Sequence, residues 1–353
     1  GVPIITSENA EEVAANGCAR STVKETYEFI LGDLNKAIEL LANTKKTRSD
    51  KRYVSLDVAY GIRARVHLTM HNYADALKDA EAALASTSSV PYSSAAVSKP
   101  TFIDIEDASW MWGILITDKD RVSTTGICNF PSHMGSLNYG YASVGGWRRI
   151  SPKLYNQIPE SDVRKGWFLD DTGVSVNLPA AAQAYITKKG APVYTQVKYG
   201  PMNDEWGSNN NATDVILMRV EEMYLIKAEA QAMNNDVSGG VNTLNSFVNT
   251  YRDPSYKCTA TTGEAVQEAV WHQRRIEFWG EGLAYFDIMR LNKGVNRLGC
   301  GFPKTAVFNI AAGDPVQIYS IPNKEVQYNP LLENNPLVSA PTPVSYTHLR
   351  AHE

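Results

Sequence analysis

The carboxylates best spaced for acid–base chemistry are Glu277 and Glu281, four residues apart in a segment with helical periodicity. Two side chains at this spacing share one face of a helix, and glycoside hydrolases work with a pair of carboxylates. Arg274, Arg275 and Arg290 stand nearby, and a neighbouring arginine lowers a carboxyl pKa, whereas a general acid needs a raised one. We therefore predict structural ion pairs and helix caps here. The same role is predicted for Arg219, Glu222, Glu229 and Asp287.

Other residue types that carry catalysis or bind metals form no recognised motif. His67 and His71 are four residues apart but lack the glutamate of a His-Glu-x-x-His zinc site. There is no Gly-x-Ser-x-Gly turn, phosphate-binding loop or dinucleotide fingerprint. The sequence thus predicts a protein that is not an enzyme and needs no metal or cofactor.

The four cysteines leave two alternatives open. They are widely spaced and form no Cys-x-x-Cys pair, so a zinc site has little support. Either one disulfide joins two of them, with Cys258 and Cys300 as the predicted pair, or all four are free thiols. The full set is Cys18, Cys128, Cys258 and Cys300.

The middle of the chain contains the candidate ligand site. About residues 90–213 are rich in glycine, tyrosine and tryptophan, and within them residues 132–149 combine four glycines, two tyrosines and Trp147. Sugar receptors combine flat aromatic platforms with a few hydrogen-bonding groups. The predicted ligand-binding residues are Asn138, Tyr139, Tyr141, Trp147 and Arg148. The alternative is that these aromatic side chains pack the loops onto helices. Trp206 is a weaker candidate, and the acidic residues of this region, Asp170, Asp171, Asp204 and Glu205, are interpreted as solvated.

Composition excludes several classes of protein. The chain has 353 residues, of which 43% are hydrophobic and 20% charged, values typical of a folded protein. A net charge of -4 supplies no basic footprint for nucleic acid. No apolar run is long enough to span a bilayer. Residues 1–20 lack the features of a signal peptide, so we expect a processed or truncated start.

Periodicity predicts helices at both ends and loops between them. Thr22 and Glu25 have capping-box spacing ahead of a first helix. Residues 55–84 predict a tetratricopeptide-like helical hairpin. About residues 90–213 form a loop-rich insert, with short strands predicted at Trp110–Ile116 and at Val193–Val197.

Helical periodicity returns near Val215. One helix covers Val220–Met233, and another follows a break at Gly239-Gly240. Residues 263–292 predict two helices hinged near Gly280 and Gly282, and a strand is expected at Val316–Ile321.

Several of these segments resemble, in order, the signature motifs of the SusD/RagB family. They are Arg219-Val-Glu-Glu-Met-Tyr-Leu-Ile-Lys-Ala-Glu-Ala230, Gln273-Arg-Arg-Ile-Glu-Phe-Trp-Gly-Glu-Gly282 and Ile321-Pro-Asn-Lys-Glu325 with Asn329-Pro330 and Asn335-Pro336. Two departures stand out. The family's lipidated cysteine and additional N-terminal helical region are missing, and Leu337 replaces a frequent glycine. Residues 1–344 are thus predicted to form a SusD-like domain, and residues 345–353 a non-native tail.

The resemblance implies a mainly α fold of stacked tetratricopeptide-like hairpins, a SusD-like superhelix. It also implies a non-catalytic receptor that faces the exterior of the bacterial outer membrane through a lipid anchor absent from this chain. Such a receptor captures nutrient oligomers, most often glycans, for a SusC-type TonB-dependent transporter. A RagB-type peptide receptor and a helical scaffold without a ligand site are the alternatives.

Overall fold

The computed structural model describes residues 1–44, 46–120, 129–336 and 338–343. Within these ranges the secondary structure is mainly helical, which confirms the predicted class. The α-helices are α1 (Ala10–Asn16), α2 (Val23–Asn43), α3 (Leu56–Thr69), α4 (Tyr73–Ser86), α5 (Ser94–Val97), α6 (Phe130–Met134), α7 (Pro152–Tyr155), α8 (Ala180–Lys188), α9 (Val220–Met233), α10 (Val237–Tyr251), α11 (Gly263–Glu277), α12 (Ala284–Arg290) and α13 (Asn323–Tyr328). The strands pair antiparallel as β1 (Trp110–Ile114) with β2 (Val215–Arg219) and β3 (Val295–Asn296) with β4 (Asn309–Ile310).

The chain divides into two units. The first comprises the described residues of Gly1–Glu39 and Tyr285–Glu353, and the second is Leu40–Ala284. In the first unit the predicted capping box is confirmed, because Glu25 accepts a hydrogen bond from the Thr22 amide (2.8 Å) and Thr22 Oγ1 accepts one from the Glu25 amide (3.1 Å). Asn329 of the closing motif holds both the amide and the carbonyl of Cys18, at 3.0 and 2.7 Å.

In the second unit, α3 and α4 form the predicted hairpin and pack on α9. Small residues permit this close packing, since Ala64, Ala76, Ala80 and Ala83 are fully buried. Arg63 of α3 donates two hydrogen bonds of 2.6 Å to the Asp79 carboxylate of α4. This bidentate pair fixes the register of the hairpin.

Helices α9, α10 and α11 share a second apolar cluster. A Cβ at Gly240 would lie 2.6 Å from the Ala228 carbonyl oxygen, so glycine allows α10 to approach α9. The predicted break at Gly239-Gly240 is wrong. Helix α10 begins at Val237, because Asp236 accepts a hydrogen bond from the Gly239 amide (2.9 Å) and caps the first turn.

Two of the three strand predictions are wrong. The strand Trp110–Ile114 is confirmed as β1, but residues 193–197 form only isolated bridges. Tyr194, directly before the bridged residues Thr195 and Gln196, has a φ of 65°, outside the extended region, and so interrupts the predicted strand. At residues 316–321 the structure has a 3₁₀ turn, Pro315–Gln317, in which Asp314 accepts a hydrogen bond from the Val316 amide.

The insert has an aromatic core. Trp110 and Trp167 are buried in it together with Phe102, whose ring meets that of Trp167 edge-on at 5.2 Å. The indole N–H groups also have partners. Trp110 donates to the Tyr92 hydroxyl (2.7 Å), and Trp167 donates to the Val97 carbonyl (2.9 Å). Both tryptophans therefore pack the core of the insert.

Cys18, Cys258 and Cys300 are free thiols, so the predicted Cys258–Cys300 disulfide is wrong. Cys128, Leu337 and the predicted tail at 345–353 lie outside the described residues. Of the helices in the described ranges, none combines the length and the apolar character needed to cross a membrane.

Candidate functional site

The predicted ligand loop starts from the short helix α6 and is fastened at several points. Asn129 caps α6 by accepting a hydrogen bond from the Ser132 amide (2.9 Å), and its own amide donates to the Asn211 carbonyl (3.1 Å). Ser132 Oγ in turn accepts a hydrogen bond from the Tyr141 amide (2.9 Å). The Tyr139 amide donates to the Ser208 carbonyl (2.7 Å). The backbone of both tyrosines is therefore tied to neighbouring structure.

The side chains of Tyr139 and Tyr141 face solvent, at 49% and 42% exposure. Lys189 directly follows α8, and its Nζ lies 5.1 Å from the centre of the Tyr139 ring. A cation at this distance from an aromatic face is attracted by the ring's quadrupole. Tyr139 thus combines an accessible aromatic ring with a nearby positive charge.

Tyr141 is held by a stack. Its ring lies 4.6 Å from that of His133 with an interplanar angle of 28°, and the Arg148 guanidinium carbon is 5.8 Å from its centre. Arg148 Nη2 lies 3.3 Å from His133 Nδ1. A guanidinium can only donate, so His133 Nδ1 accepts in this contact. A Cβ at Gly146 would lie 2.6 Å from the Tyr141 ring, so this arrangement requires glycine there.

The other two predicted residues are less exposed than the tyrosines. Asn138 is only 2% exposed, and its side-chain amide donates to the Asn211 side chain. Trp147 is partly buried against an apolar cluster that includes Leu137 and Ile186. That all five residues bind a ligand stays a prediction. We call the two exposed tyrosines, Tyr139 and Tyr141, together with His133, Arg148 and Lys189 beside their rings, the tyrosine platform.

Sequence reasoning did not single out His133 or Lys189. His133 is within the predicted ligand loop, residues 132–149, but its ring stacks on Tyr141 only because the chain turns between these two residues. Lys189 comes from a different element, and no spacing rule links it to Tyr139. Trp206, the weaker candidate, packs partly buried against the same apolar cluster as Trp147.

The predicted structural role of Glu277 and Glu281 in ion pairs is confirmed, but two of the arginines that hold Glu277, Arg164 and Arg252, were not among those predicted. The Glu277 carboxylate is fully buried and accepts two hydrogen bonds of 2.8 Å from Arg252. It accepts two further ones, from Arg219 (3.1 Å) and Arg164 (3.3 Å). Glu281 accepts hydrogen bonds from Arg219 at 2.9 and 3.0 Å.

These contacts argue against acid–base catalysis by the two carboxylates. Burial disfavours the charged form of Glu277, but Arg252, Arg219 and Arg164 outweigh it and hold the pKa well below its usual range. Burial likewise opposes ionisation of Glu281, yet Arg219 and Lys198 lower its pKa. A carboxyl with a lowered pKa stays ionised and is a poor general acid.

Lys198 completes the network with a buried ammonium group. Its Nζ donates to the carbonyls of Glu277 (3.0 Å) and Trp279 (3.1 Å) and to Glu281 Oε1 (2.6 Å). A cation that binds the last carbonyls of a helix offsets their partial negative charge. Burial nevertheless lowers the pKa of Lys198 to about 8, against the raising effect of Glu281.

This lowered pKa predicts a measurable dependence of stability on pH. From about pH 8 to about pH 9.5 the unfolded lysine, with an ordinary pKa of 10.5, still binds its proton while the native one releases it. Raising the pH therefore favours the native state. Relative to Lys198→Met, the wild-type free energy of unfolding should rise by about 1–2 kcal/mol over this window. Urea unfolding at each pH measures this difference, and parallel curves for the two proteins would contradict the assignment.

Two family models match the sequence. A model described as the SusD family matches residues 164–337, and a model described as "Starch-binding associating with outer membrane" matches residues 1–68. The first covers α9, α10, α11 and the closing motif, where the sequence resemblance is densest. No curated protein matches the chain.

Solved structures of the same superfamily share the fold. A SusD-like carbohydrate binding protein from Bacteroides vulgatus is 23% identical with a TM-score of 0.73, over 94% of this chain and 70% of that one. A SusD superfamily protein from Bacteroides thetaiotaomicron is 22% identical with a TM-score of 0.73, over 96% and 71% of the two chains. One from Parabacteroides distasonis is 18% identical with a TM-score of 0.69, over 95% and 73%. With these folds and family models in agreement, the chain belongs to the SusD/RagB family.

Proposed function

We propose that this chain is a non-catalytic receptor that binds nutrient oligomers, glycans in particular, on the tyrosine platform. The observation that carries the proposal is the pair of solvent-exposed rings, Tyr139 and Tyr141, each with a cationic side chain close to its face. Aromatic faces pack on the C–H faces of sugars, and Arg148 and Lys189 can donate hydrogen bonds to sugar hydroxyls.

The relatives support the choice of glycans. One similar structure is that of a SusD-like carbohydrate binding protein, and another is that of a putative sugar binding protein, both from Bacteroides vulgatus. The description of the model matching residues 1–68 names both starch binding and the outer membrane. We therefore propose that the protein acts at the outer-membrane surface and delivers its ligand to a SusC-type TonB-dependent transporter. Membrane attachment would come through a lipid anchor.

Within the platform we propose distinct roles for the predicted residues. Tyr139, Tyr141 and Arg148 would contact the ligand, because their side chains reach the surface. Asn138 and Trp147 would position the tyrosines, since Asn138 is buried and Trp147 packs on an apolar cluster. Changes at the second pair would thus affect folding as well as binding.

Tyr141→Ala should weaken glycan binding about tenfold, because it removes the stacked ring and one face of the site. Isothermal titration calorimetry against a panel of oligosaccharides measures the affinity, with α-1,4-linked glucans included because of the family description. Tyr141 is substantially exposed, so the unfolding midpoint should change little. Tyr328→Ala is the matched control, because that tyrosine is 84% exposed and is not part of the platform.

The alternatives give different results. Binding of peptides but of no glycan would replace this proposal with a peptide receptor. A well-folded protein that binds neither class would favour a scaffold. If the wild type, Tyr139→Ala and Tyr141→Ala bound glycans with equal affinity, the glycan site would not be on the tyrosine platform.

A further inference from the structure

A cavity of about 520 Å³ opens in the second unit beside α7 and the 3₁₀ helix Val163–Trp167. Its volume is within the range of small-molecule sites. The lining combines two tyrosines, Tyr155 and Tyr194, with carboxylates, amides and hydroxyl groups. None of the platform residues lines it.

Two buried side chains in the lining have polar atoms without a protein partner. Tyr155 is 8% exposed, and within the described ranges no group hydrogen-bonds to its hydroxyl. Asn177 is 7% exposed, and its Nδ2 donates to the carbonyls of Val97 and Val163, both at 3.3 Å. No donor among the described residues reaches its Oδ1. Neither atom is sealed from solvent, and both residues line the cavity, so a ligand in the cavity can hydrogen-bond to them.

The aromatic part of the lining can pack against a ring. Tyr155 and Tyr194 lie 5.1 Å apart at an angle of 58°, and Lys165 Nζ lies 5.1 Å from the Tyr155 ring. The rim adds apolar surface, because Val174 and Val176 are 46% and 91% exposed. Such a surface suits the C–H groups of a compact ligand.

The charge of the lining is negative. Two of its carboxylates have cationic partners, since Glu160 pairs with Lys165 and Asp162 pairs with Arg164. In the described part of the chain, Asp170 and Asp171 form no ion pair.

The negative charge of the lining contributes to the raised pKa of Tyr155. Burial, and then Asp170, Glu160 and Asp171, raise the pKa of Tyr155 to about 12. Burial opposes ionisation of Asp170, but hydrogen bonds from Val174 and Thr172 outweigh it and lower the pKa of the carboxyl. Asp170 therefore remains charged at neutral pH.

We propose that this cavity is a second ligand site and that it takes a sugar unit bearing a protonated amine. The hydroxyl of Tyr155 and the Oδ1 of Asn177 would pair with sugar hydroxyls, and Asp171 would attract the ammonium group. A sugar ring supplies the apolar C–H face for Tyr194. The site stands apart from the tyrosine platform and does not depend on it.

Calorimetric titration with a β-1,4-linked glucosamine oligomer tests the proposal, beside the N-acetylated oligomer of the same length. The charged oligomer should bind saturably and the uncharged one several-fold more weakly. Asp171→Asn should weaken the charged oligomer about two- to fivefold, because it removes one partly solvated charge pair. Tyr155→Phe keeps the ring and should weaken both oligomers about two- to tenfold through the lost hydrogen bond.

Controls separate this site from the platform. Asp33→Asn removes a charge from an exposed aspartate of α2, outside the cavity, and should leave binding unchanged. The titrations are repeated in the Tyr141→Ala background, in which binding on the platform is weakened, so the effects of Asp171→Asn and Tyr155→Phe there report on the cavity. Equal binding of the two oligomers, or insensitivity to both cavity variants, would overturn the proposal. The proposal would also be overturned if the protein bound oligolysine but no glucosamine oligomer, and if Asp171→Asn weakened that oligolysine binding.

Discussion

Replacing Glu277 by glutamine should lower the free energy of unfolding by about 3–5 kcal/mol, the range for breaking a buried ion pair by removing one partner. The substitution keeps the shape of the side chain but removes the charge that faces Arg164, Arg219 and Arg252. The guanidinium groups are all buried and would lose their common counter-ion. Urea unfolding followed by tryptophan fluorescence measures the change, and all the tryptophans lie between Trp110 and Trp279, inside the second unit.

The matched control is Glu39→Gln on α2. Glu39 pairs with Lys36 at 2.9 Å, but both side chains are about 60% exposed, at 59% and 61%. Exposed pairs contribute about 0–1 kcal/mol, so this variant should unfold almost like the wild type. A similarly small effect at Glu277 would show that the network does not stabilise the second unit.

Acidification offers a second test of the same carboxylate. The folded pKa of Glu277 lies below its ordinary value of 4.5, so its contribution to stability is complete above about pH 4.5 and is lost as the pH falls toward the folded pKa. In Glu277→Gln this part of the acid dependence should disappear.

Trp110→Ala should be the other strongly destabilising change, by about 3–5 kcal/mol. Trp110 is fully buried in the aromatic core of the insert. Its removal leaves a large cavity and takes away the hydrogen bond of 2.7 Å to the Tyr92 hydroxyl. The same urea experiment measures the loss, and Trp110→Phe should recover a large part of it because the ring still fills most of the space.

Trp112 is the natural comparison, because it lies two residues along the same strand. It is partly buried against a different cluster, and its indole N–H donates to the Arg52 carbonyl at 3.2 Å. Trp112→Ala should therefore lower the free energy of unfolding by only about 1–2 kcal/mol. Equal effects at the two positions would contradict the assignment of Trp110 alone to the insert's core.

The separation of these two tryptophans shows where sequence reasoning stops. Side chains two residues apart in a regular strand share a face, so Trp110 and Trp112 would be expected to pack together. The pairing of β1 with β2 shifts register between them. Such a bulge reorients the strand. Its extra residue, Met111, is in β1, but it is defined by the pairing with β2, about a hundred residues later in the chain.

The sequence by itself determined the helices and much of their packing. The Thr22–Glu25 cap, the α3–α4 hairpin and the hinge at Gly280 and Gly282 are set by interactions between residues close in the chain. Their signals are local periodicity, capping residues and glycine, which sequence displays directly. A structural role for Glu277 was predicted from the arginines of its own segment, but the hydrogen bonds that fulfil it come from Arg164, Arg219 and Arg252 in other elements.

Only the tertiary structure decided which side chains meet outside the helices. Lys189 reaches Tyr139 from α8, and Asn177 joins Tyr155 in the acidic cavity from a separate loop. Arg252 reaches Glu277 from the end of α10. Loop residues lack a repeating pattern, and their positions depend on contacts between distant segments rather than on local preference. The helical segments therefore indicated the family from sequence alone, whereas the tyrosine platform and the cavity are formed only by the folded chain.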